Sequence, residues 1–430
     1  MAAHYTQIHL GSPKISPVLL DRPCIRYDAK PYCRKTVCFM TTFKILVLDA
    51  AQRSALAVTR SLGQHAELCV FTAEAADSAL AGKSRYSHHY IVCPSAEHQP
   101  QLFIEWLIET QAQHKFDLVL PVTEITSQLI LLNRDKLRSI KTPFPDYDRV
   151  MQLADKGNLV KLALSLNLRC PATQHFNHLS ELDIKTLDYP CVIKPVQSRL
   201  FRDNQWINTV VGIIKSQHDL EIYLAKNTYL SFTGFMLQEF IPGHGAGVFC
   251  LYHQGQAVTF FAHKRLREKP PHGGVSVLCE SQPVDPVLQD FAEKLLSTVG
   301  WHGVAMVEFR IDEQGNAYLM EINTRFWGSL QLSIDSGLDF PWLLVAKNLG
   351  LEHSTPSHYK VGQRLRWLLG DLDSLYIYVK SSASIGSKLK RLFWFLTPDF
   401  FHTKHEVNRL SDFKPALYEF KRYICAFLGK

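Results

Sequence analysis

No apolar run in the 430-residue chain reaches the roughly 18 to 20 residues needed to span a bilayer, and its first residues lack the apolar core of a secretory leader. Both absences predict a cytoplasmic protein. The ten cysteines form no CxxC pair, which argues against a zinc or redox motif and for reduced thiols. The turn after the first strongly apolar segment, Asp49-Ala-Ala-Gln-Arg-Ser54, lacks a GxGxxG, so a dinucleotide fingerprint is not supported. Internal repeats and low-complexity segments are also missing. What is present is 46% hydrophobic and 20% charged, enough for two or three ordinary cores and incompatible with wholesale disorder.

The formal charge of +7 is unevenly placed. From Val379 to the end there are ten Lys and Arg against four Asp and Glu, so the remainder is nearly neutral and no nucleic-acid partner is expected. Within that tail, Lys388-Leu-Lys-Arg-Leu-Phe-Trp-Phe-Leu396 mixes cations with large apolar groups. It reads either as a solvated helical face or as a weak contact surface for an anionic membrane or a partner protein.

Residues 1–42 carry Pro13, Pro17, Pro23 and Pro31 without sustained periodicity, and Met40 begins what reads as a fresh start. The expectation is that Met40 is the true start or that the first forty residues are a loosely held extension. From Phe43 the pattern alternates: strands at 43–48, 67–71, 90–92 and 117–121, and helices at 52–62, 102–113 and 127–138. That order predicts an α/β domain over residues 43–145 with a parallel sheet covered on both faces. One helix is expected over 149–166, then strands with interspersed glycines to about Asp312, with amphipathic helices at 289–299 and 340–349. Beyond Gly350 the chain reads as helical and aromatic.

Two apolar strands, Val304-Ala-Met-Val-Glu-Phe-Arg-Ile311 and Ala317-Tyr-Leu-Met-Glu-Ile-Asn323, flank the polar loop Glu313-Gln-Gly-Asn316. If Asp312 faces Ala317, antiparallel register puts Glu308 opposite Glu321, with Cβ atoms about 4.5 to 5.5 Å apart. Like charges so placed repel, and a cation between them is the natural remedy. Asn323 shares the face of Glu321 by period-two alternation, completing an all-oxygen set suited to Mg²⁺, with Mn²⁺ as the second choice. The competing reading is a hairpin whose acids face solvent or pair with Arg310 and Arg325.

The hairpin and three segments before it resemble an ATP-grasp domain, as in biotin carboxylase and the large subunit of carbamoyl-phosphate synthase, over roughly residues 43–350. The segments are Asp155-Lys156 opening a helix, Tyr189-Pro-Cys-Val-Ile-Lys194-Pro195, and Leu237-Gln-Glu-Phe-Ile-Pro-Gly243. Phe261-Ala-His-Lys-Arg-Leu-Arg-Glu268, Trp301-His-Gly-Val-Ala305 and Arg325-Phe-Trp-Gly-Ser329 are similar to carbamoyl-phosphate-synthase-like members of that superfamily. The resemblance implies a Rossmann-like pre-ATP-grasp domain (43–145), a two-subdomain ATP-grasp fold (146–236 and 237–350) and a helical basic C-terminal region (351–430). It also implies that Lys156 and Lys194 hold ATP phosphates and that Gln238, Glu239, Phe240 and Ile241 clasp adenine.

Alternation along Phe261–Glu268 would place His263, Arg265 and Arg267 on one face, as three donors for phosphate or carboxylate. Arg325 joins them as a candidate catalytic residue. Two departures stand out. Val196-Gln-Ser-Arg-Leu-Phe-Arg-Asp203 lacks the glycines of many ATP-grasp flaps, so the flap is absent, reshaped or built from Arg199 and Arg202. One ATP-grasp unit with no second copy also excludes full carbamoyl-phosphate synthesis. The resemblance therefore implies an ATP- and Mg²⁺-dependent ligase that activates a small carboxylate as an acyl phosphate for attack by an amine. Thiol ligation, carboxylation, kinase chemistry and a non-catalytic ATP-binding regulator are the alternatives.

Overall fold

The computed structural model describes residues 42–184, 187–271, 273–397 and 402–429. The expectations for the first forty residues, including a start at Met40, lie outside them. Four short apolar strands and three helices come first: β1 (Phe43–Val47), α1 (Arg53–Leu62), β2 (Leu68–Glu74), β3 (His89–Val92), α2 (Pro100–His114), β4 (Leu118–Leu120) and α3 (Glu124–Leu132). The strands pair in parallel in the order β3-β2-β1-β4. Alternation explains how the sheet fills both sides: Ile45 and Val47 of β1 enter one core with Leu56 of α1, while Leu46 enters another with Phe103 and Leu107 of α2.

The chain then breaks the single expected helix in two, α4 (Tyr147–Ala154) and α5 (Lys156–Ser165). Asp155 causes the break: its extended backbone ends α4, and its carboxylate accepts the Asn158 amide to cap α5. Such a cap contributes about 1 kcal/mol and re-aims the helix that begins with Lys156. Next come β5 (Thr173–Phe176), β6 (Cys191–Pro195), β7 (Arg199–Arg202), β8 (Gln205–Asn208), β9 (Gly212–Ile214), α6 (Gln217–Lys226) and β10 (Phe235–Glu239). They build an antiparallel sheet in the order β5-β10-β6-β9, and β7 and β8 form a separate hairpin.

The rest centres on a seven-stranded sheet in the order β15-β14-β11-β12-β13-β16-β17. Its elements, with the helices between them, are β11 (His244–His253), β12 (Gln256–Lys269), β13 (Val275–Gln282), α7 (Pro286–Thr298), β14 (Gly303–Ile311), β15 (Ala317–Asn323), α8 (Leu330–Asp335), α9 (Phe340–Leu349), β16 (Arg364–Arg366), α10 (Leu368–Lys380), α11 (Ile385–Leu396), β17 (Thr403–His405) and α12 (Lys414–Phe427). Alternate residues of β11 again serve two cores. Phe249 and Leu251 pack with the parallel sheet, α8 and α9, whereas Val248, Cys250 and Tyr252 pack with α7 and Trp301. Each large buried side chain contributes about 1.5 to 3 kcal/mol. The C-terminal region is helical, but β16 and β17 also add its chain to the large sheet, which the sequence pattern did not show. Among the described residues no helix is long and apolar enough to cross a membrane.

Candidate functional site

Glu308 on β14 stands opposite Glu321 on β15, as the hairpin pattern predicts, but the register that puts it there differs. Ile311, not Asp312, faces Ala317, and the turn closes from the Asp312 amide to the Asn316 carbonyl. Met320 is an extra residue between Glu321 and Leu319, so a bulge restores the Glu308–Glu321 pairing. Asn323 donates to Glu308 Oε1 at 3.0 Å and to Glu321 Oε1 at 3.5 Å, tying the three together.

Cations surround the pair. Arg265 on β12 donates to Glu308 Oε2 at 3.0 Å. Lys156, buried at the start of α5, lies 3.5 Å from Glu321 Oε2 and donates to Ser198 Oγ at 2.8 Å. Lys194 on β6 points toward β15, its Nζ 3.5 Å from Met320 Sδ. Arg325, just beyond β15, donates to Asn323 Oδ1 at 3.3 Å. The carboxylates respond unequally. Burial and the charge of Glu321 raise the Glu308 pKa despite Arg265. Burial raises that of Glu321 too, but Lys156 and Lys194 outweigh it and the net direction is down. Burial, with Lys156 adding to it, lowers Lys194 to about 8 against the opposing pull of Glu321.

The donor set fits a hard cation. Glu308 and Glu321 present carboxylate oxygens, Asn323 would add its Oδ1 by turning its amide over from Arg325, and the Glu321 side chain keeps 36% of its surface open. Among the described residues no group of three or more His, Cys, Asp or Glu is gathered, so a cation here would take its remaining ligands from phosphate and water.

The segment Gln238–Ile241 joins the antiparallel sheet to the large one. Gln238, at the end of β10, is buried; its Nε2 donates to Thr173 Oγ1 at 3.0 Å, while its Oε1 is enclosed without a hydrogen-bond partner. Glu239 is exposed and Phe240 half-buried. Ile241 is buried and its carbonyl accepts Arg310 Nε at 3.1 Å, which links this segment to β14. Immediately afterwards Gly243 adopts φ of +138°, and a Cβ there would stand 1.9 Å from the Ile311 carbonyl oxygen. Only glycine lets the chain enter β11 so close to the hairpin.

The expected three-donor face on β12 does not form. Leu266 is an extra residue against β13, so alternation breaks and Arg265 and Arg267 part company. Arg265 meets Glu308 and also Glu268. Arg267 turns to the C-terminal helices and pairs with buried Asp371. His263 is buried against Phe249, with Nε2 2.8 Å from Ser329 Oγ, and burial beside Arg265 lowers its pKa to about 3. It is therefore a neutral packing residue at physiological pH, not a cationic donor.

Ser198 and Glu124 enter the site without having been singled out in the sequence, whereas Arg199 was expected there as one builder of the flap. Arg199 on the β7–β8 hairpin has Nη1 buried without a hydrogen-bond partner. With Arg325 and Glu124 it lines a cavity of about 500 Å³ at the carboxyl ends of β1, β2, β3 and β4. Ligands favour such strand ends in open α/β sheets. Burial raises the Glu124 pKa, opposed by Arg325 and Lys156. The glycine-poor segment after Lys194 is thus a short hairpin carrying arginine toward the site.

Residues 231–370 match a family model described as ATP-grasp in the biosynthetic pathway with Ter operon. No curated protein matches the chain by sequence. Among solved structures, the L-amino acid ligase from Bacillus licheniformis is 18% identical, with a TM-score of 0.57 over 72% of this chain and 74% of that one. Biotin carboxylase from Campylobacter jejuni is 18% identical, with a TM-score of 0.58 over 76% of this chain and 75% of that one. The N5-carboxyaminoimidazole synthetase from Staphylococcus aureus is 14% identical, with a TM-score of 0.56 over 76% of this chain and 82% of that one. From its order of sheets, its carboxylate hairpin and these likenesses, the chain has the ATP-grasp fold.

Proposed function

We propose that the protein is an ATP- and Mg²⁺-dependent ligase that activates a small carboxylate for attack by an amine. The observation that carries this reading is the opposition of Glu308 and Glu321 inside a ring of Lys156, Lys194, Arg265 and Arg325. Two carboxylates and four cations at one point suit a divalent cation and several phosphate oxyanions together. Stabilising that charge and positioning the reactants are the main catalytic terms in phosphoryl transfer.

In this reading Glu308, Glu321 and Asn323 hold Mg²⁺, which offsets phosphate charge. Lys156, Lys194 and Arg199 face the phosphates, and the unpaired Gln238 Oε1 accepts from the adenine amino group. The cavity beside Arg325 receives the carboxylate substrate. A carboxylate oxygen attacks the terminal phosphorus, the bond to ADP breaks, and an acyl phosphate forms. The amine nitrogen then attacks the acyl carbon, phosphate leaves, and the nitrogen loses a proton to give an amide. The Bacillus licheniformis neighbour is by name an L-amino acid ligase, and other neighbours are described as complexes with ADP, which supports nucleotide use on this fold.

The test is a screen for ADP release with Mg²⁺ across amino acids, small carboxylic acids and bicarbonate, followed by mass spectrometry. The expected result is ADP release that needs a carboxylate, and with an amine a product equal in mass to both less water. ATP binding without turnover in any pool would assign the chain to the non-catalytic nucleotide binders instead.

A further inference from the structure

We propose that α11 docks the protein on an anionic lipid bilayer, lying in the plane of the headgroups. Every residue of α11 keeps solvent access; none is buried. Ile385, Leu389, Leu392, Phe393 and Leu396 are 77, 61, 40, 63 and 66% exposed. At a 3.6-residue period these five fall in one stripe roughly 100° wide. Such a stripe on the outer side of a helix is not a core face, because the inner side, carrying Arg391 and Phe395, is already turned toward Asp371 and Arg366. Lys388 and Lys390 border the stripe on either side. Their aliphatic stems can lie along an apolar interface while the ammonium groups reach the headgroups.

Charge selects the occupant. Beside α11 a cavity of about 810 Å³ is lined by Arg267, Arg364, Arg366, Lys390 and Arg391, with one acid, Glu268, which pairs with Arg265. Three of these guanidiniums share one carboxylate, that of fully buried Asp371. Among the described residues that cluster therefore holds more cation than anion, and Arg267 Nε is buried without a hydrogen-bond partner. An apolar stripe edged by lysines beside an arginine-rich hollow complements a surface of acyl chains and phosphate headgroups. Each cation near such a surface strengthens binding, and the effect weakens with salt. The inference is independent of the reaction assigned to the carboxylate hairpin.

Flotation of the full-length protein with vesicles tests it, using phosphatidylcholine alone and an equal mixture with phosphatidylglycerol. The protein is expected to float with the mixture, to remain behind with phosphatidylcholine alone, and to be released by salt. Lys388→Glu with Lys390→Glu should weaken partitioning about tenfold or more. Leu389→Ser with Phe393→Ser should abolish it, with the thermal unfolding midpoint unchanged because both side chains are exposed. Equal binding to both vesicles, or to neither, would overturn the proposal. So would a dimer in sedimentation velocity that Phe393→Ser dissociates, since the stripe would then belong to a second copy of the chain.

Discussion

Glu321 faces Glu308 across the hairpin because Met320 is bulged out between the two strands, and the same bulge brings Met320 Sδ to the Nζ of Lys194. A backbone irregularity therefore sets both the carboxylate pair and the approach of Lys194 to β15. Bulges are common beside active sites because they re-aim side chains in this way.

Replacing Glu321 with Ala should lower Mg²⁺-dependent turnover about a hundredfold or more, the scale of losing a principal electrostatic contact. Lys156 and Lys194 would lose their nearest anion, and Glu308 would lose its repelling neighbour. ADP release measured against Mg²⁺ concentration gives the answer; an unchanged rate and unchanged Mg²⁺ dependence would remove Glu321 from the metal site.

Gln238→Leu separates a nucleotide contact from a packing role. In the free protein Gln238 Oε1 is buried and unpaired while Nε2 donates to Thr173, so an apolar side chain loses one hydrogen bond and relieves one unmet acceptor, and stability should stay within about 1 kcal/mol. With nucleotide, losing the acceptor for the adenine amino group should weaken ATP binding about tenfold. Calorimetry with ATP and a thermal melt measure the two separately. Lower stability with unchanged ATP affinity would make Gln238 a structural residue.

Much of this was legible in the sequence where period-two alternation or a local cap decides the outcome. The pairing of Glu308 with Glu321 was readable, although through a turn taken one residue too far and a bulge not foreseen, two displacements that cancel. The helix from Phe340 to Leu349 was readable to the residue because Asp339 caps it and Gly350, with φ of +66°, ends it. The face of Arg267 was not readable. Its direction depends on Leu266 being extra in β12, and its partner Asp371 lies about a hundred residues further on. β16 and β17 are three residues each, too short to show a period, and exist because the large sheet offers them an edge.

His263 should make the fold acid-sensitive. Its pKa in the folded protein is about 3 against an ordinary 6.5, so the unfolded chain takes up the proton first as pH falls. Stability from this residue is fully present above about 6.5 and declines as pH drops toward 3. Between pH 7 and pH 5 the loss is about 2 kcal/mol. Urea unfolding at the two pH values should show a smaller difference for His263→Gln than for the unaltered protein. An equal difference would mean that the imidazole can be protonated in place.

Arg267 and Asp371 give a test in which stability and catalysis should part. Asp371 is fully buried and counters Arg267, Arg366 and Arg391. Asp371→Asn would leave three guanidiniums without their anion, and removing one member of a buried charge cluster costs about 3 to 5 kcal/mol. Arg267→Met should cost less, because Arg366, 2.7 Å from Asp371, and Arg391 remain to balance the carboxylate. Neither side chain reaches the Glu308–Glu321 pair; Arg265 does. Arg267→Met should therefore lower the midpoint of urea unfolding while the KM for ATP and for the carboxylate stays within about twofold, whereas Arg265→Met should act on turnover. A raised carboxylate KM in Arg267→Met with unchanged unfolding would return Arg267 to the substrate site and show that β12 rearranges when substrate binds.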